Sequence, residues 1–144
     1  MVSLATGCGH GSHPTAPDRV TVDARPIAGV GTALVNDMGF ALYMFLPDRQ
    51  TRVTCTGTCA GVWPPLLVSP TGRIVAGPGV NPALLGRVPN PGGGDVVTYN
   101  RWPLYTYVSD TAPGEATGQA LNLNGGPWYV IRPSGAPAIP AGGG

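Results

Sequence analysis

The sequence predicts a mainly β, antiparallel fold made of two repeated hairpin or meander units with approximate two-fold internal symmetry and one short helix, on three observations. First, LVNDMGFALYMFLPD aligns with VTYNRWPLYTYVSD, so that Leu42, Tyr43, Phe45 and Asp48 fall opposite Leu104, Tyr105, Tyr107 and Asp110 at a constant spacing of 62. Second, Trp63 in GVWPPLLV faces Trp128 in GPWYVIRP at a spacing of 65, so the second copy needs only three extra residues. Self-similarity at a fixed period marks a supersecondary unit that has been duplicated. Third, the β-branched and aromatic runs are punctuated by turn residues, while helix signals are scarce.

Within each copy the first run, Thr32 to Val35 or Val96 to Tyr99, leads into turn residues, Asn36-Asp37-Met38-Gly39 or Asn100-Arg101-Trp102-Pro103. A second run follows, so each copy reads as a hairpin. In that second run the strand period of two sets Tyr43 with Phe45, and Tyr105 with Tyr107, on one face. Leu42, Met44 and Leu46, with Leu104, Thr106 and Val108, take the other face, and two largely apolar faces predict central strands. A third strand per copy, around Trp63 to Val68 and Trp128 to Arg132, completes a small meander. One helix signal stands out in Asn81-Pro82-Ala83-Leu84-Leu85-Gly86, which carries an N-cap residue, a proline at the first helical position and a terminating glycine.

A chain of 144 residues holds one domain with a modest core. Its 23 glycines and 17 prolines are unevenly spread, crowding into GCGHGSHPTAPDR and PSGAPAIPAGGG. Residues 1–19 therefore read as a flexible tether and 134–144 as a disordered tail. Between them, 20–133 forms a single β-rich domain whose repeats, about 30–68 and 95–133, are joined by a turn-rich connector. Only 10% of residues are charged and the formal net charge is +1, so no basic patch exists to neutralise a row of phosphates, and nucleic acid is not an expected partner. No apolar run approaches the ~20 residues of a membrane-spanning helix.

The start of the chain carries its own signal. Leu4-Ala5-Thr6-Gly7-Cys8 resembles the lipobox of bacterial lipoproteins, in which the cysteine receives diacylglycerol. Cys8 is thus the expected lipidation site and membrane anchor, and the Gly-rich stretch after it suits a tether. The seven residues before it include no basic residue and no apolar stretch of signal-peptide length. The doubled pattern Tyr43/Phe45/Asp48 and Tyr105/Tyr107/Asp110 resembles the signature of the bacterial secreted-repeat lipoproteins of unknown function, Y-x-[FWY]-x-x-D. TCTGTCAGVWPPLL, VTYNRWPLYTY and GQALNLNGGPWYV resemble other recurrent stretches of that family, over roughly Gly31 to Pro133. The resemblance implies an exported, usually lipid-anchored protein, extracytoplasmic or at the cell membrane, and supplies no reaction.

Among candidate site residues, the motif side chains Tyr43, Phe45, Asp48, Tyr105, Tyr107 and Asp110, with Trp63 and Trp128, admit two readings. They are either a paired binding site with ring faces and carboxylate acceptors, or sheet packing plus aspartates that bond the amides of the following turn. The packing reading is the stronger. Cys55 and Cys59 read as a structural disulfide whose closure Gly57 permits. They spell neither C-x-x-C nor C-x-x-C-H, though a redox, copper or haem-handling role for this pair with nearby methionines is the alternative. His10 and His13 stand in the N-terminal stretch and, with Cys8, Met38 and Met44, form a weak copper set; solvated linker histidines are the simpler account. No histidine stands within the domain to serve as a general base, and the seven carboxylates form no evident acid/base pair. GVGTAL at Gly29 leads into a strand and so lacks the context of a nucleotide loop. No cofactor, resident metal or catalytic residue is expected. The functional expectation is an exported, non-enzymatic binding or interaction module of the cell envelope, with an unidentified envelope ligand or protein as partner.

Overall fold

A computed structural model describes residues 16–49 and 52–140. Its strands are β1 (Arg19–Ile27), β2 (Gly31–Val35), β3 (Tyr43–Phe45), β4 (Leu67–Val68), β5 (Arg73–Ala76), β6 (Leu85–Pro89), β7 (Asp95–Tyr99), β8 (Trp102–Pro103), β9 (Leu121–Leu123) and β10 (Gly126–Val130). One short α-helix, α1 (Thr58–Val62), and short 3-10 turns at Leu46–Asp48 and Pro82–Leu84 complete it. The strands lie in three sheets, ordered β2-β1-β5, β3-β10-β9 and β4-β7-β6, with β8 added on β7. All pairings are antiparallel except β1 with β5, which is parallel.

The expected hairpins are present. In the second copy, Asn100 and Arg101 hold positive φ values of 50° and 73° and connect β7 to β8 with Tyr99 opposite Trp102. Two central residues with positive φ give the turn twist that suits a two-residue hairpin. In the first copy the Asn36 side chain accepts from the Met38 and Phe40 amides, and Val35 bridges to Ala41. In the first copy faces divide as the period of two predicts; in the second the expected central strand is reduced to Trp102–Pro103 and a bridge at Tyr105, and Val108 is exposed. Tyr43 and Phe45 join an aromatic cluster with Trp63, Tyr105 and Trp128, while Leu42 and Met44 join an aliphatic cluster with Val22, Leu34, Val97 and Leu104. Both faces of β3 are buried, and although it ends its sheet, its outer edge is taken up by the Tyr43–Tyr105 bridge.

The third strands do not close a meander within their own copies; they cross over. β10, from the second copy, pairs with β3 of the first, setting Trp128 opposite Phe45. β4, from the first copy, pairs with β7 of the second. Each crossing closes a ring of three backbone hydrogen bonds: Leu34 N–H to Ile131 O, Ile131 N–H to Leu42 O and Leu42 N–H to Leu34 O. The second ring runs Val97 to Leu66, Leu66 to Leu104 and Leu104 to Val97, matching the first residue for residue. Between the rings Tyr43 and Tyr105 exchange both backbone hydrogen bonds, at 2.8 and 3.0 Å, so the pseudo-two-fold axis passes through this pair. The exchange pairs the buried backbone groups that each hairpin leaves open at its edge.

Three sequence boundaries move. The stretch read as a turn-rich connector contains β5, the Pro82–Leu84 turn and β6, and β6 lies on β7 as the second half of β1 lies on β2, with Gly86 opposite Thr98 and Asp23 opposite Val35. The repeats therefore begin earlier than about 30 and 95; Arg, Pro and Gly in DARP and GRVP hide the alternation that marks a strand. The helix expected at Asn81–Gly86 is a single 3-10 turn. Its Asn81 cap is real, the side chain accepting from Ala83 N–H at 3.0 Å, but the chain turns extended at Leu85. The α-helix sits instead at Thr58–Val62. At the ends, residues 16–18 and 134–140 are built into the fold rather than loose. Pro17 O accepts from Ser69 N–H, Ile131 bridges Pro137, and Ala138 is buried.

Candidate functional site

The duplicated motif assembles around the two-fold axis with its partners exchanged between copies. The Tyr43 hydroxyl donates to Asp110 Oδ2 at 2.7 Å, and the Tyr105 hydroxyl donates to Asp48 Oδ2. Each carboxylate uses its other oxygen on a local turn. Asp48 Oδ1 accepts from Thr54 N–H at 2.8 Å and from its hydroxyl at 2.6 Å; Asp110 Oδ1 accepts from Thr117 N–H at 2.8 Å and its hydroxyl at 2.5 Å. The aspartates thus do bond turn amides as the packing reading expects, while also reaching across to the other copy's phenol. They do not hydrogen-bond each other; the tyrosines and threonines take their oxygens.

The rings are interleaved in the same exchanged sense. Trp63 and Trp128 lie face to face with centroids 3.9 Å apart. Phe45 of the first copy stacks on Trp128 of the second, and Tyr107 of the second stacks on Trp63 of the first, each at 4.1 Å. The result is a continuous pile, Phe45-Trp128-Trp63-Tyr107. Tyr43 meets Trp63 edge-on at 5.3 Å and Tyr105 meets Trp128 edge-on at 5.2 Å, the arrangement that ring quadrupoles favour, at about 0.5–1.5 kcal/mol per pair beyond burial. Both indole N–H groups are satisfied by the β9–β10 hairpin, Trp63 Nε1 by Asn124 Oδ1 and Trp128 Nε1 by Leu123 O.

Burial sets the electrostatics. Tyr43, Asp48, Tyr105, Trp63 and Trp128 are sealed at 0% exposure, and of the eight motif residues only Tyr107 is less than fully buried. Desolvation pushes the Asp48 carboxyl above the ordinary aspartate range, against the lowering pull of the Thr54 and Tyr105 donors. Desolvation likewise raises both phenols, Tyr43 and Tyr105, and the carboxylate each faces adds to the rise. No buried side-chain polar atom among the described residues lacks a partner. The eight residues therefore form an internal clamp in which seven are buried and Tyr107 alone reaches partway to solvent.

The cysteines stand apart from the axis. Cys55 and Cys59 form a disulfide with Cα atoms 5.1 Å apart, closed across Gly57 at φ 62°. Both sulfurs are tied up in that bond and both residues are buried. Met44 is sealed in the aliphatic cluster, whereas Met38 is exposed. Among the described residues no three His, Cys, Asp or Glu side chains converge as a metal site. Cys8, His10 and His13 lie outside the described residues.

Several contributors escape a reading of the sequence. Thr54 and Thr117 are legible only once the repeats are aligned through the aspartates, six and seven residues upstream. Gly118 stands where a Cβ would lie 2.7 Å from Trp63 and 2.9 Å from Tyr107, and its N–H donates to the Tyr43 hydroxyl. Tyr99 is equally silent in sequence: its hydroxyl accepts from Asn81 N–H and donates to Pro133 O, tying the Pro82–Leu84 turn to the C-terminal segment.

Fold and clamp together define a duplicated β protein whose two copies complete one another across an internal axis. The chain belongs to the family described as a secreted repeat of unknown function, whose model matches residues 27–67 and 86–132, the two halves related by that axis. This places it among exported proteins. No curated protein and no solved structure matches it.

Proposed function

We propose that this exported chain acts as a non-enzymatic binding or interaction module at the cell envelope, held to the membrane by a lipid on Cys8. The observation that supports this reading is the direction in which the duplicated motif points. Its rings and carboxylates are engaged inside, so recognition falls to the surface turns that they hold in place. One such surface is an open cleft of about 410 Å³ between Leu46, Pro47 and Arg49 on one side and Gly125, Gly126 and Pro127 on the other. Apolar walls beside a single guanidinium suit an envelope component that offers an apolar segment next to an acidic group.

Intact mass of the protein recovered from its native membrane fraction tests the anchor, since diacylglycerol on Cys8 adds a defined mass. Cys8→Ser then moves the chain to the soluble fraction. A soluble, unlipidated wild-type chain overturns the anchor. A photo-crosslinking residue in place of Arg49 tests the surface: a discrete adduct from intact cells is expected, and its absence there and in place of Pro127 overturns this cleft as the contact face.

A further inference from the structure

The core holds a set of groups that the surface role above does not use: two face-to-face indoles, two buried phenols at their edges, and a carboxylate on each phenol. Indoles and phenols are the side chains that most readily give up one electron, and here they are in mutual contact. Tyr107, the partly buried member, stacks on Trp63 at 4.1 Å, and Trp63 stacks on Trp128 at 3.9 Å. Beyond the indoles lie Tyr43, 5.3 Å from Trp63, and Tyr105, 5.2 Å from Trp128.

A phenol that loses an electron inside a protein must also lose its proton, because an unpaired buried cation is costly. That requires a base already within hydrogen-bond reach of the hydroxyl. Asp110 stands 2.7 Å from the Tyr43 hydroxyl, and Asp48 accepts from Tyr105. Each carboxylate is held on its far side by a threonine, so it receives the proton without moving. A buried phenol needs an acceptor of some kind; here both phenols that flank the indoles have a carboxylate, which can take up the proton as well as accept the hydrogen bond.

We propose that this assembly is a one-electron relay, in which a one-electron oxidant at the Tyr107 edge draws an electron through Trp63 from Tyr43, or through Trp63 and Trp128 from Tyr105. The oxidant gains one electron. The phenolic O–H bond breaks and an O–H bond forms on Asp110 or Asp48, leaving a neutral tyrosyl radical beside a neutral carboxyl with no atom gained or lost. Burial, which raises the affinity of Asp48 for a proton, favours the transfer to it. A one-electron reductant such as a thiol returns the electron and the carboxyl returns the proton. The substrate class is thus small oxidising radicals that reach an exported protein from outside, and the relay stands whether or not Cys8 carries lipid.

The test uses the full chain with its disulfide intact and photo-oxidised ruthenium tris-bipyridine as the oxidant, read by electron paramagnetic resonance. The expected product is a neutral tyrosyl signal that a soluble nickel(II) complex does not broaden, forming more slowly in D2O than in H2O. Tyr43→Phe and Tyr105→Phe each remove about half of it, both together remove it, and Tyr107→Phe slows its appearance severalfold. A signal that nickel broadens, or that survives in the double variant, overturns the relay. Where the double variant does not fold, the wild-type chain decides: a nickel-sensitive radical, or formation without a solvent isotope effect, overturns it equally.

Discussion

The two copies solve one geometric problem by different local means. Each must return the chain from its motif aspartate to its tryptophan while holding a threonine against the carboxylate. The first copy does so with a five-residue helix, Thr58–Val62, locked by the Cys55–Cys59 disulfide. The second uses the β9–β10 hairpin, turned at Asn124 and Gly125 with φ values of 55° and 105°. At the position where the first copy carries Cys55, the second carries Gly118, and only the second approaches a tryptophan too closely for a side chain. The hydrogen bonds and ring contacts at the axis correspond pair for pair, whereas these outer returns have diverged. The comparison teaches that the fold constrains the clamp and leaves the return free to vary.

Breaking the shared part has the largest expected effect. Trp63→Ala or Trp128→Ala removes a ring packed on both faces, and each costs about 3–5 kcal/mol. Near-equal losses in chemical denaturation confirm that both copies depend on one stack; a loss under ~1 kcal/mol for either refutes it. Breaking the divergent parts should cost less and in unlike ways. Replacing both Cys55 and Cys59 by Ala removes a constraint on a very short loop, about 2 kcal/mol on the loop-entropy account. Gly118→Ala, at the matching place in the second copy, forces a Cβ against Trp63 and costs about 1–3 kcal/mol by overpacking. Thermal unfolding of the two variants checks whether the returns carry separate burdens.

Much of this was legible in the residues. The constant spacing from Leu42 to Asp48 and from Leu104 to Asp110 locates the repeat, and the period of two assigns Tyr43 and Phe45 to one face before any coordinate is known. Cys55, Gly57 and Cys59 announce a local closure. What the sequence does not carry is which copy each partner comes from. Tyr43 has Asp48 five positions away, yet it bonds Asp110; spacing along a chain reports local neighbours, while exchange across an axis is a property of how two hairpins satisfy their open edges. β6 was hidden for a related reason, since Gly86, Arg87 and Pro89 are read as turn and charge until β7 is known to need an outer partner. The C-terminal segment looks loose by composition, but Ala138 is buried and its carbonyl accepts from Gln119 Nε2 at 2.5 Å, contacts no composition argument supplies.

Exchange is sharpened by double-mutant cycles, which isolate pairwise coupling. Tyr43→Phe with Asp110→Asn should couple by about 1 kcal/mol, and Tyr105→Phe with Asp48→Asn likewise, in line with buried hydrogen bonds. Tyr43→Phe with Asp48→Asn, two changes within one motif, should be additive. Coupling inside the motif and none across it would reverse the assignment of partners.

The smallest effect separates the two halves of the Tyr105–Asp48 pair by pH. Tyr105 and Tyr43 are raised above their ordinary value of 10.0, so the stability they confer is complete below that value and falls as pH climbs past it, when the unfolded chain ionises first. Asp48 is also raised, so its contribution is complete below the ordinary aspartate value of 3.8 and fades as pH rises through its higher folded value. The wild-type chain should therefore lose part of its advantage over Asp48→Asn between acid and neutral pH, and part of its advantage over Tyr105→Phe above about pH 10. Denaturation midpoints across that range check both arms. An Asp48→Asn difference that grows on moving to neutral pH would mean that the hydrogen bonds to Asp48 outweigh its burial, since those donors favour the charged carboxylate and burial opposes it.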